Sequence, residues 1–100
     1  MRRVTIQYFS GCPHWQVADA RVRAAAHGHD DVTIDDQLVE TPEDAQRLGF
    51  AGSPTILIDG VDPFAEPGQP IGLGCRIYRT PEGPQGAPTA EQLAQALAGS

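Results

Sequence analysis

Cysteine, proline and histidine stand together at Cys12-Pro13-His14, where an apolar run ends and a helix-like pattern begins. A second cysteine, Cys75, lies 63 positions further on. Cysteine does its chemistry as the thiolate, and the unpaired backbone N–H groups at a helix start, together with the positive end of the helix dipole, favour that anion. His14, when protonated, would favour it further. The spacing therefore points to a reactive thiol at Cys12; the structural alternative is a half-buried cysteine beside a surface histidine. In a reducing compartment, two cysteines so far apart are two free thiols or a redox pair more often than a permanent bridge. Metal ligation is poorly served, because Cys12-Pro13-His14 and His27-Gly28-His29 lack the spacing of a zinc finger or of a helical histidine pair.

The elements that must position these groups follow from patterning. Arg3 to Phe9 is rich in β-branched and aromatic residues and reads as a strand. Pro13 suits the first position of a helix on which Trp15, Ala18, Val22 and Ala25 share a face, with Gly28 as its stop and His27 and His29 decorating its end. Val32 and Ile34 alternate with polar residues in a second strand over 31–39, which implies a parallel crossover. Thr41-Pro42-Glu43-Asp44 caps and opens a short helix ending near Leu48, with Gly49 as its stop. Residues 52–60, Gly-Ser-Pro-Thr-Ile-Leu-Ile-Asp-Gly, place a proline at the head of a strongly β-forming run. From Gly60 to Gly74 the chain carries three prolines and four glycines, a loop longer than a hairpin needs. Its Phe64 either serves a site or pins the loop to the core. Leu73 to Arg79 reads as the last strand, with Cys75, Ile77 and Arg79 on one face and Arg76 and Tyr78 on the other. Residues 80–88 connect it to a final helix with a capping-box spacing from Thr89 to Gln92 and a stripe of Ala90, Leu93, Ala94 and Leu97.

One hundred residues suit a single domain spanning 1–100. Seven basic against thirteen acidic side chains give a net charge of −6, which disfavours nucleic acid and anionic lipid as partners. No apolar run approaches the length of a membrane span and no secretory signal precedes the first strand, so a cytoplasmic location is expected. Oligomeric state is not encoded in any pattern here.

The order strand, helix, strand, helix, strand, strand, helix resembles the minimal thioredoxin fold, an α/β architecture whose mixed four-stranded sheet is flanked by helices. Cys12-Pro13-His14 resembles the start of the Cys-Pro-His-Cys site of the oxidising disulfide oxidoreductases, and Ser53-Pro54-Thr55 resembles the cis-proline loop facing that site. Closer still, Phe9 to Trp15, Gly52 to Thr55, Asp59 to Phe64 and Cys75 to Tyr78 are similar to the small actinobacterial thioredoxin-like group named for its Asp-Phe motif. Some members of that group carry selenocysteine at the position of Cys12. Here Pro63 separates Asp62 from Phe64, so that motif is matched loosely.

The resemblance implies a thiol oxidoreductase but gives no established substrate; thiolate chemistry at Cys12, needing no cofactor, points to a peroxide, a small thiol or a protein disulfide. Cys12 would be the nucleophile, and Pro13, His14, Trp15, Ser53, Pro54 and Phe64 would border the substrate. A cis Pro54 would leave the Ser53 backbone available to an extended substrate. Trp15 would wall the site or merely pack on its helix. Because Trp15 stands where a resolving cysteine would be, the second sulfur must come from Cys75 or from an external thiol. In the ordinary fold Cys75 would begin its strand at the far end of the sheet, and only the long preceding loop could return it to Cys12. The alternative is a non-catalytic module that captures a soft metal or an organomercurial through Cys12 and Cys75.

Overall fold

In the computed structural model, residues 2–99 are described. Strand β1 (Arg2–Tyr8) leads to helix α1 (Trp15–Ala25), strand β2 (Val32–Leu38), helix α2 (Pro42–Leu48) and strand β3 (Thr55–Ile58). Strands β4 (Tyr78–Thr80) and β5 (Gly83–Gln85) and helix α3 (Ala90–Ala98) complete the chain. The class is α/β. β1 is central in a three-stranded sheet, parallel to β2 and antiparallel to β3. Its alternation explains the covered face, since Val4 and Ile6 are buried while Arg3 on the other face is exposed.

Val4 and Ile6 join Ile56 and Ile58 of β3 in a core closed by Ala18 and Val22 of α1 and by Leu93 and Leu97 of α3. A smaller cluster of Val39, Ala45 and Phe50 sits beneath α2. The caps of α2 and α3 are those the sequence predicts. Thr41 Oγ1 accepts from the Asp44 N–H at 3.1 Å, and Gly49 ends α2 at φ 66°. Thr89 and Gln92 exchange the two bonds of a capping box. The apolar stripe of α3 runs through Leu93 and Leu97 with Ala96 at its edge, whereas Ala94 is exposed.

Three expectations are corrected. α1 starts at Trp15 with His14 as its N-cap, so Pro13 lies in the turn outside the helix instead of at its first position. The reason is that Cys12 is already committed to a tight turn, its N–H bonded to Phe9 O at 3.0 Å. The last strand does not run from Leu73, since regular pairing begins only at Tyr78. Finally, the single four-stranded sheet is absent among the described residues, because β4 pairs with β5, within the stretch expected to be a mere connection, and forms a separate two-stranded ribbon. Residues 74–76 instead follow Ser53 as an isolated parallel bridge, and that detour decides the site.

Candidate active site

The turn before α1 and the chain entering β3 meet at Ser53. Ser53 and Pro54 are buried and joined by a cis peptide bond. Every polar group of Ser53 is used. Its N–H donates to Gly74 O at 2.6 Å, its carbonyl accepts from the Arg76 N–H at 2.9 Å, and its hydroxyl oxygen accepts from the Phe9 N–H at 3.0 Å. Gly52 makes the close approach possible. It has φ 104°, and a Cβ there would lie 3.1 Å from Arg76 Cβ, so both the backbone conformation and the available space call for glycine.

These bonds place Cys75 against Cys12. The two Sγ atoms lie 2.8 Å apart with Cys75 as donor, and Cys12 Sγ is also 3.5 Å from Ser53 O. The thiols differ in setting. Cys12 has no exposed surface, whereas Cys75 is open to solvent. The bond to Cys12, then desolvation and the nearby Cys12 charge, push the Cys75 thiol above its ordinary value.

Behind Cys75 the chain is anchored by a group that sequence inspection passed over. Arg76 is buried and its guanidinium meets Asp62 at 2.7 Å, Phe64 O at 2.8 Å and, more loosely, Thr55 Oγ1 at 3.5 Å. It also stacks 4.6 Å from the centre of the Tyr78 ring. Tyr78 is buried, its hydroxyl donates to Pro54 O at 2.5 Å, and burial pushes its titration well above the usual range. The signal for Arg76 and Tyr78 was the alternation itself, which put both opposite Cys75 on what proves to be the buried side.

Other expected site residues are distributed differently. Trp15 stacks on Tyr8 with ring centres 4.1 Å apart, in keeping with a packing role. Pro13 and His14 are exposed, and the His14 ring lies so close to Gly86 that any side chain there would overlap it. Phe64 meets Tyr78 edge-on at 5.5 Å and flanks the core, and it also borders a cavity of about 260 Å³ beside Arg76 and Tyr78. The Ser53 backbone, expected to be free for an extended substrate, is occupied by this chain's own Gly74 and Arg76, whose insertion takes both of its hydrogen-bonding positions.

No family model matches the chain, and no curated protein or solved structure matches it significantly. The chemistry is therefore argued from the pair itself. Among the described residues no group of three or more histidine, cysteine or acidic side chains converges as metal ligands would, and no helix is long and apolar enough to cross a membrane. What the arrangement offers is two sulfurs whose separation needs to shorten only from 2.8 Å to about 2.05 Å for a bond to form.

Proposed function

We propose that this protein is a thioredoxin-like thiol oxidoreductase whose Cys12 and Cys75 alternate between dithiol and disulfide while a disulfide, a peroxide or a small thiol changes oxidation state in the opposite sense. The observation that carries this reading is the contact of two sulfurs from opposite ends of a 63-position separation. Supporting it are the cis Ser53–Pro54 bond beside the Cys12 turn and the β-α-β-α-β order that precedes the loop. A reducing cytoplasm would keep such a pair cycling. The soft-metal reading is less well supported. Two thiolates on a tetrahedral metal, with bonds near 2.3 Å, stand about 3.8 Å apart, farther than the 2.8 Å found here.

Mass spectrometry after one equivalent of peroxide or small disulfide should find a single bridged species joining the peptides of Cys12 and Cys75. Cys12→Ser and Cys75→Ser should each abolish the bridge and the cycling with it. If the wild type yields only separate sulfenic or mixed-disulfide products, the two-sulfur reading is wrong.

The pH dependence has a defined sign. A folded Cys75 value above its unfolded one means that the S–H···S bond stabilises the protein below about pH 8.5 and that this contribution fades as pH rises through the folded value. Alkylation of Cys75 in the reduced protein should accordingly require a pH above the free-cysteine range. Reaction at the ordinary cysteine value would argue against a coupled pair.

A further inference from the structure

Resting on the reading that Cys12 and Cys75 form a disulfide, we propose that this disulfide is opened only from the Cys75 side, by a small uncharged thiol that seats beside Cys75 and expels Cys12. Three observations carry the assignment. Cys12 has no exposed surface and Cys75 is exposed; forming the bond moves the sulfurs by less than an ångström from their present contact, so this difference persists in the oxidised protein. The Ser53 backbone, the other route to Cys12, is filled by Gly74 and Arg76. And Cys75, not Cys12, lines a pocket of about 210 Å³ walled by Gly52, Pro70, Ile71 and Leu73.

The pocket also limits what can enter. Its volume is below that of sites for drug-sized ligands, and its lining contains no charged side chain. The protein's net charge of −6 adds a long-range penalty for anionic thiols.

The exchange balances as follows. An external thiolate attacks Cys75 Sγ, the Cys12–Cys75 bond breaks, and Cys12 leaves as the thiolate with the bonding pair. A second external thiolate then attacks the outer sulfur of the Cys75 mixed disulfide, forming an external disulfide and releasing Cys75. Cys75 takes up a proton and returns to its S–H···S contact with Cys12. Two external thiols are oxidised and the protein disulfide is reduced by the same two electrons.

The test uses the wild-type chain. The protein is first oxidised and the Cys12–Cys75 bridge is verified by peptide mapping; absence of the bridge removes the parent reading, and this proposal with it. The bridged protein is then mixed with limiting 2-mercaptoethanol and quenched in acid at intervals, and the freed thiol is alkylated. Hydroxyethylthio-Cys75 with alkylated Cys12 should exceed the opposite pairing at least tenfold. Equal amounts, or an excess of the adduct on Cys12, would overturn the assignment while leaving the redox pair intact. With glutathione, larger and anionic, opening at equal thiolate concentration should be at least tenfold slower; comparable rates would overturn the size and charge preference.

Discussion

The two sulfurs reach the same point by different physics. Cys12 is held by neighbours in sequence, in a turn closed by a bond to Phe9 O and followed at once by α1. Cys75 follows a long loop with little regular structure, and its position depends on the buried pair of Arg76 and Asp62 and on two backbone bonds to Ser53. One half of the site is secured by secondary structure and core packing, the other by a few polar contacts out of water. The lesson is that the second half can fail while the first survives.

The most severe way to break that asymmetry is Asp62→Ala. Removing one partner of a buried ion pair typically costs about 3–5 kcal/mol because the other charge is left uncompensated, and Arg76 has side-chain exposure of only 3 %. Denaturant unfolding should show the loss, and bridging of the two cysteines should slow in the protein that remains folded. Intact stability with unchanged bridging would show that the loop is held by something other than this pair.

A smaller effect is expected from Gly52→Ala, which puts a Cβ at φ 104° and 3.1 Å from Arg76 Cβ. A cost of about 1–3 kcal/mol fits such a conformation. The measurement to pair with it is Cys75 alkylation, which should accelerate as the Ser53 contact loosens; an unchanged rate would mean that the Ser53 pairing does not set the Cys75 position.

The smallest change tests the Cys12 half from a distance. Asp36 on β2 titrates above the usual carboxylate range, chiefly through desolvation, then through its hydrogen bond with Asp19 and that residue's charge, with Arg23 pulling the other way. A raised carboxylate favours the fold below its unfolded value near pH 4 and loses that contribution as pH rises through the folded one. Asp36→Asn should therefore raise stability at pH 7 by about 0.5 kcal/mol and remove the dependence, with the sulfur pair unaffected. A decrease in thermal midpoint at pH 7 would refute the repulsion argument.

What the sequence made legible was local. Thr41 with Gly49, and Thr89 with Gln92, announce their helices because capping chemistry acts over three or four residues. The alternation from Cys75 to Arg79 sorted the side chains into the two faces that prove exposed and buried, without saying which was which, although most of that segment is not a regular strand. The pairing of Ser53 with Cys75 was invisible, since no local preference encodes which distant backbone an extended segment will meet. Arg76 was hidden for a related reason. A buried arginine is acceptable only where a partner such as Asp62 arrives from elsewhere in the fold, and composition gives no sign of that arrival. Phe64, by contrast, left two readings; its contact with Tyr78 is the packing expected of one, and its place on a cavity wall suits the other.

The 63-position separation of the two sulfurs has a further effect once they are joined. A bond between Cys12 and Cys75 ties α1, β2, α2 and β3 into one covalent ring, and the entropy removed from the unfolded chain by a ring of that size corresponds to about 4 kcal/mol. Oxidation would then act on the whole molecule as a mechanical brace. The oxidised form would resist heat and proteolysis, the reduced form would be the one that cells clear first, and the lifetime of the protein would follow the supply of thiols around it.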